Sequence, residues 1–256
     1  MLQKPITLVV GKLKVILVFC TRRFKSFMEK TELIIDLIKA NGNAENLEGM
    51  RRFGIHFEEA YGCNIPFLRK LAKQFKRDHH LAKELWATGI HEAQIMAFLI
   101  DDPKEVTELQ MDRWVRSLKS WDICDGLCSN LFRKTEWAYS KAKEWSVRNE
   151  EFVKRAGFVM MAVLAVHDKG AEDKVFIEFL DLIEKESRDE RNVVKKAVNW
   201  ALRQIGKRNI LLNKKAILYA KRIEKQHSRA AKWIARDALR EFQTATTKRI
   251  LERRKK

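Results

Sequence analysis

The segment Lys119–Asn130, KSWDICDGLCSN, places an indole and two carboxylates within five residues. Trp121 and Asp125 are four residues apart, and Asp122 and Asp125 are three apart, so on a helical turn they share one face. A carboxylate there can stabilise a developing cation or position a water molecule, and the indole can add cation–π attraction. The ordinary alternative is structural: Asp122 caps a helix, Asp125 pairs with a lysine and Trp121 fills the core.

This cluster belongs to a strongly basic chain. The 256 residues carry a net charge of +18, and the cations are concentrated at the two ends. Residues 185–256 hold 23 Lys and Arg against 7 Asp and Glu, and residues 1–30 hold 7 against 1. A concentrated positive surface attracts polyanions by counterion release, so nucleic acid is the leading partner. A membrane surface, an acidic protein and a merely solvated helical surface are the alternatives.

Composition and periodicity predict an all-α fold. The chain has only 3 Pro and 10 Gly, and from Thr31 onward its apolar residues recur at the 3.6-residue spacing of helices. The predicted helices include Gly126–Phe132, Glu150–His167 and Glu190–Gly206.

One folded domain is expected, covering residues 28–245, with a basic tail over residues 246–256. Residues 1–27 are basic, apolar and β-branched, and Lys12 and Lys14 interrupt any signal-peptide core. We interpret them as an extension outside the fold. An added strand, a DNA-contacting tail and a translation start placed too early are the explanations left open.

Three helical segments resemble one another. The segments from Val153 (VKRAGFVMMA) and Val194 (VKKAVNWALR) start 41 residues apart, and the segment from Ala231 (AKWIARDAL) follows after another 37. Each is preceded by another helix, and helix pairs repeating at about 40 residues are typical of a HEAT-like solenoid, a curved α–α superhelix. The second helices of such pairs line the concave face. The basic residues expected to approach that face are Arg155, Lys195, Lys196, Lys232 and Arg236.

The four cysteines indicate reduced thiols and a cytoplasmic location. Cys124 and Cys128 lie on one helical face without a histidine at ligand spacing, so we interpret them as small buried residues and expect no zinc site. The apolar run from Val15 to Cys20 is too short to span a bilayer. No phosphate loop, nucleotide fingerprint or nucleophile elbow is present in the sequence.

Three ordered blocks resemble the DNA alkylation repair family, the HEAT-repeat alkylpurine DNA glycosylases of AlkD type. They are Trp121–Asp125 (WDICD), Phe152–Ala156 (FVKRA) and Lys196–Arg203 (KAVNWALR), and the resemblance covers about residues 45–242. It implies a monomeric enzyme of base excision repair that holds duplex DNA containing alkylated bases. The implied reaction hydrolyses the N-glycosidic bond of cationic N3- or N7-alkylpurines without a base-flipping pocket, and no metal or organic cofactor is implied.

The functional residues of the family can be carried over to the matching positions of this sequence. On that basis the resemblance implies that Asp125 is the catalytic carboxylate. It implies that Trp121 and Trp200 are aromatic walls and that Arg155 contacts the DNA backbone or orients another group. Family members often have two tryptophans before the aspartate, whereas here Ser120 precedes Trp121. The remaining residues predicted to bind substrate or DNA are Asp122, Lys195, Lys196 and Arg203.

Two other functions stay open at this stage. Because the family includes members without detected glycosylase activity, the chain can instead be a non-catalytic HEAT-repeat protein that binds distorted or branched DNA. A helical scaffold for an acidic protein is the third possibility, and it predicts weak DNA affinity at physiological salt.

Overall fold

The computed structural model describes residues 29–253, so the predicted extension over residues 1–27 lies outside the described residues. Within this range the chain forms fourteen α-helices, one short 3₁₀ helix and no strand. The predicted all-α fold is therefore confirmed. None of the helices in residues 29–253 combines the length and the apolar character needed to cross a bilayer.

The described chain divides into two compact units. The first runs up to Phe53 and includes Glu58–Asp101, and the second comprises Gly54–Phe57 with everything from Asp102 onward. The helices of the first unit are α1 (residues 29–40), α2 (Ala44–Arg52), α3 (Ile65–Ala72), α4 (His79–Ala87) and α5 (His91–Ile100).

A buried carboxylate organises the first unit. Glu92, in the first turn of α5, is 1% exposed and accepts hydrogen bonds from the backbone N–H groups of Tyr61 (3.0 Å), Gly62 (2.6 Å) and Cys63 (3.2 Å). These bonds compensate for the removal of the charge from water. Gly62 has a φ of +78°, and a Cβ there would overlap the carbonyl oxygen of Asn43, so only glycine suits this turn.

The second unit contains the remaining helices. They are α6 (Glu108–Arg116), α7 (Trp121–Asn130), α8 (Ala138–Ser146), α9 (Glu151–His167), α10 (Asp173–Glu186), α11 (Asn192–Gly206), α12 (Ile210–Glu224), α13 (Arg229–Phe242) and α14 (Ala245–Arg253), with a 3₁₀ turn at Phe132–Lys134. The helix α14 occupies most of the segment predicted to be a basic tail.

The centre of the second unit is α9, whose residues are buried without interruption from Val153 to Ala165. It packs against α7, α8 and α11, and α11 packs in turn against α12 and α13. A helix that is buried on all sides must be apolar around its whole circumference, and α9 is so except for two charged residues, Lys154 and Arg155. Those two cations must therefore find partners inside the protein.

The prediction that the helix after Trp121 begins at Gly126 is wrong, because α7 begins at Trp121. Ile123 and Cys124 are buried one turn before Leu127 and Cys128, so the packing stripe of the helix already exists upstream of the glycine. Glycine lowers helix propensity by about 1 kcal/mol, and burial of this stripe outweighs that cost.

Gly157 permits a close approach of α8 to α9. A Cβ at this position would overlap the backbone nitrogen of Ser146 and would lie 2.8 Å from the Cα of that residue. The contact is with backbone rather than with a flexible side chain, so the two helices would have to separate. Because Gly157 is two residues from Arg155, this separation would also displace the guanidinium.

We predict that Gly157→Ala destabilises the protein by about 2–3 kcal/mol, because overpacking against backbone forces the helices apart. The matched control is Gly49→Ala in α2, where a Cβ meets no atom within 4 Å. That change should stabilise the protein by about 0.5–1 kcal/mol, because alanine is the better helix former. Chemical denaturation measures both, and equal effects would contradict the close-packing assignment.

Candidate active site on α7, α9 and α11

The carboxylate cluster lies in the first two turns of α7. Trp121 is its first residue, and Trp121, Asp122 and Asp125 are all half-buried on one face of the helix. Ser120, which precedes the helix, donates a hydrogen bond through its hydroxyl to Asp122 Oδ1. The Asp122 carboxylate also lies in the first turn, where the helix dipole favours negative charge.

Two small residues bring α7 close to α9. Cys124 and Cys128 are both 0% exposed, and their sulfurs lie 4.0 Å from the carbonyl oxygen of Phe152 and 3.8 Å from that of Ala156. The interpretation of both cysteines as small buried residues is confirmed. Burial raises the pKa of the Cys128 thiol well above its ordinary value, so it is an uncharged packing group.

A two-point ion pair joins α7 to α9 at this contact. Arg155 donates from Nε to Asp125 Oδ1 at 3.0 Å and from Nη2 to Asp125 Oδ2 at 2.8 Å. The side chain of Arg155 is 6% exposed, whereas that of Asp125 is 22% exposed. The guanidinium is thus inside the protein, and the carboxylate lies at the boundary with solvent. A carboxylate oxygen has two lone pairs, so Asp125 can accept further hydrogen bonds on its open side.

The same guanidinium reaches the third helix. Arg155 donates from Nη1 to the carbonyl oxygen of Val193 in the first turn of α11. One buried side chain therefore connects α7, α9 and α11. Of the two roles left open for Arg155, this geometry favours orientation of Asp125 over contact with a DNA backbone.

The ionisation of Asp125 reflects two opposing influences. Burial raises the pKa of its carboxyl above the ordinary value, the Arg155 charge and hydrogen bonds work against that rise, and the Asp122 carboxylate adds to it. For Arg155, burial alone would lower the pKa, but the Asp125 carboxylate outweighs burial and raises it. The arginine therefore stays charged, and it keeps Asp125 more acidic than burial alone would allow.

One face of α11 begins at Val193, whose carbonyl oxygen accepts the hydrogen bond from Arg155. Val193, Lys196, Trp200 and Arg203 follow at the i, i+3, i+7 and i+10 spacing of a helical stripe. Trp200 is half-buried and lies two turns from Val193, about 10 Å along the axis at 1.5 Å per residue. Lys196 is exposed and forms no ion pair with any described residue.

Two of the predicted DNA-binding cations are engaged within the protein. Lys195 places its ammonium 5.1 Å from the centroid of the Trp233 ring of α13. Arg203 forms ion pairs with Asp237, at 3.2 Å, and with Glu241. The structure therefore brings Asp125 and Arg155 together, places Trp121, Asp122, Trp200 and Lys196 on the flanking helices, and directs Lys195 and Arg203 towards α13.

Sequence reasoning missed the residues that position the start of α11. Lys154 is 6% exposed and pairs with Glu186 at 2.7 Å and with Asp189 at 3.5 Å. Asp189 also accepts from Arg191, which donates to the carbonyl oxygen of Asn149 at 2.7 Å. These contacts fix the turn before α11. The only sequence signal was a lysine inside an apolar helical run, which requires a buried partner but does not identify it.

The comparison with family models decides the family. The model described as DNA alkylation repair enzyme matches residues 34–242, which include every residue of the site. The chain belongs to the DNA alkylation repair enzyme family. The resemblance carried by the three sequence blocks is thereby confirmed. No protein in the curated set matches this family member.

A solved structure resembles this DNA alkylation repair family member across most of its length. It is described as "a new family of proteins related to the HEAT-like repeat DNA glycosylases with affinity for branched DNA structures". The TM-score is 0.69 at 22% identity, over 82% of this chain and 94% of that chain. The predicted HEAT-like repeat fold is confirmed by this likeness.

We predict that Arg155→Lys lowers the free energy of unfolding by about 2 kcal/mol, because an ammonium cannot bind both Asp125 oxygens and the Val193 carbonyl together. Arg148→Lys is the matched control, since Arg148 also binds a carboxylate, that of Glu150, but on the exposed surface. The control should change little. Denaturant unfolding of both variants measures the difference, and an unaffected Arg155→Lys protein would show that the fork geometry is dispensable.

Proposed function

We propose that the protein is a DNA glycosylase that hydrolyses the N-glycosidic bond of cationic N3- and N7-alkylpurines in duplex DNA, without extruding the base into a pocket. The observation that carries this proposal is the Asp125 carboxylate, which is held at two points by a buried arginine and keeps an open side. Membership of the DNA alkylation repair enzyme family supports the same reaction class.

The chemistry needs a fixed negative charge more than it needs an acid. An alkylated purine already carries a positive charge, so it leaves as a neutral base when the bond from C1′ to the purine nitrogen breaks with both electrons going to that nitrogen. Positive charge then develops on the deoxyribose as an oxocarbenium ion. We assign Asp125 to stabilise this cation, because a preoriented carboxylate needs no reorganisation when the charge appears.

Hydrolysis is completed by water. A water molecule bound to the open side of Asp125 adds its oxygen to C1′, and the proton that it loses passes to the carboxylate and then to solvent. The products are the free alkylated base and an abasic deoxyribose. This role requires Asp125 to be ionised, which the Arg155 cation favours.

The tryptophans are assigned to the walls of the site. Trp121 lies one helical turn before Asp125 on the same face. Trp200 lies on the face of α11 that begins at Val193, the residue that Arg155 contacts. An indole face attracts a cation, by about 0.5–2 kcal/mol depending on desolvation. The cationic base and the developing sugar cation are both suitable partners, and an uncharged purine gains less.

A second candidate function rests on the same ion pair. Asp125 is already neutralised by Arg155, and a bidentate pair between two helices is also what a structural role would require. On that reading the protein is a non-catalytic HEAT-repeat protein that binds distorted or branched DNA. The two functions differ in whether a base is released.

We predict that the wild-type protein releases 7-methylguanine and 3-methyladenine from methylated duplex DNA and that Asp125→Asn lowers the rate by about 100-fold or more. Asparagine keeps the shape but removes the charge, so DNA binding should be retained. Chromatography of the released bases and a parallel binding assay measure the two effects. Binding without release by either protein would favour the second candidate, and equal release would remove Asp125 from the catalytic role.

We also predict that the rate of base release falls on acidification at a pH above the ordinary titration of aspartate, near 3.9. The active form is the ionised carboxylate, so protonation through the raised pKa abolishes activity. Arg155→Gln removes the cation that opposes the rise and should move this acid limb to higher pH. Asp122→Asn removes a charge that adds to the rise and should move it to lower pH.

Single-turnover rates are measured over the acidic pH range and corrected for base release without enzyme. They give the pH at which the rate of base release falls, which is the acid limb of the pH–rate profile. Shifts of opposite sign in the two variants are the diagnostic result, because a general loss of stability would not produce them. An acid limb that stays in place in both variants would assign it to a group other than Asp125.

A further inference from the structure

The outward face of α13 is a basic stripe that the proposed reaction does not use. Its apolar face, formed by Ala230, Ala231, Ile234, Ala235, Ala238 and Phe242, is buried against the rest of the unit. The opposite residues recur at helical spacing and line a cleft of about 440 Å³. They are Arg229, Lys232, Trp233, Arg236, Asp237 and Arg240. We call these six residues the α13 stripe.

The positive charge of the α13 stripe is only partly neutralised. Asp237, its single anion, already accepts from Asn199 at 2.8 Å and pairs with both Arg203 and Arg240. By contrast, Arg229 and Lys232 are exposed and form no ion pair with any residue between 29 and 253. These two cations are available to an anionic ligand.

An exposed indole lies among these cations. Trp233 is 41% exposed, although indoles are usually among the more buried side chains. The ammonium of Lys195 lies 5.1 Å from its ring centroid and makes a cation–π contact that restricts the ring. The α13 stripe therefore combines a held aromatic surface with flanking cations that have no anionic partner, on a cleft open to solvent.

We propose that the α13 stripe binds an unpaired DNA strand, with a base stacked on Trp233 and the adjoining phosphates on Arg229 and Lys232. Stacking platforms bordered by cations are how proteins hold single strands, because every base offers a π-face and every linkage a charge. In a duplex both faces of each base are covered by neighbouring base pairs, so an indole gains little there. The proposal rests on the proposed function only in taking DNA as the polymer.

The charge of the α13 stripe argues against other occupants. A second copy of the same surface would bring Arg229 and Lys232, which have no ion pair within residues 29–253, against the same two cations of the first copy, and such like-charge contact is unfavourable. A membrane surface would need several apolar side chains to enter it, whereas Trp233 is the only apolar residue among the six. A strand with alternating bases and phosphates matches both features.

The experiment compares two labelled DNAs by fluorescence anisotropy: a blunt duplex and the same duplex with an oligothymidine tail. The wild-type protein should bind the tailed DNA about 5- to 160-fold more tightly, the range expected for stacking of one base. Trp233→Ala should abolish this preference with little change on the blunt duplex, and Trp233→Phe should keep most of it. Leu218→Ala, a truncation of another exposed apolar side chain in the same unit, is the control and should leave it unchanged.

The cations are tested by salt dependence. The double variant of Arg229→Gln and Lys232→Gln should reduce the slope of log affinity against log salt on the tailed DNA by roughly 1.4, about 0.7 for each lost phosphate contact on a single strand. Lys221→Gln on α12 is the control for exposed positive charge, and its slope should stay at the wild-type value.

Three results would overturn the proposal: equal wild-type affinity for both DNAs, equal weakening of both DNAs by Trp233→Ala, or a dimer that Trp233→Ala dissociates. Repeating the binding with Asp125→Asn separates this proposal from the proposed function. A tail preference that survives in that variant supports the α13 stripe even if no base is ever released. Base release without any preference for the tailed DNA would refute only the proposal that the α13 stripe binds an unpaired strand.

Discussion

The geometry of the second unit depends on a buried guanidinium. Arg155 is 5% exposed, and removal of a charge from water is tolerated only when its hydrogen-bonding groups are satisfied. Its partners are both oxygens of Asp125 on α7 and the carbonyl of Val193 on α11. The guanidinium therefore fixes the positions of α7, α9 and α11 relative to one another. The small residues Cys128 and Gly157 allow α7 and α8 to approach α9 closely, as this packing requires.

The same interaction creates a tension between stability and chemistry. Arg155 stabilises the ionised form of Asp125, and it also neutralises part of the negative charge that would attract a sugar cation in the proposed reaction. Burial and the nearby Asp122 oppose the arginine, so the carboxyl is less acidic than an isolated ion pair would make it. A carboxylate that is oriented and open on one side results from this balance, and each contributor can be altered separately.

The many cations of the chain divide into two groups with different roles. Lys154, Arg155 and Arg203 are directed into the protein and hold helices together through carboxylates. Lys196 and the exposed cations of the α13 stripe face solvent, where a polyanion can release counterions from them. The count of 52 Lys and Arg residues therefore overstates the number of cations available to an anionic ligand.

The amino-acid sequence by itself determined the helical class, the approximate 40-residue repeat, the family and the face shared by Trp121 and Asp125, because these depend on local spacing and on blocks of residues. It did not determine where α7 begins, since a glycine signals a break only when burial of the neighbouring stripe does not outweigh it. Partners 30 or more residues apart, such as Asp125 with Arg155 or Arg203 with Asp237, were decided by the tertiary structure. An arginine that binds DNA and an arginine that anchors a buried carboxylate have the same side chain. Only the tertiary packing around the guanidinium decides which negatively charged group it contacts.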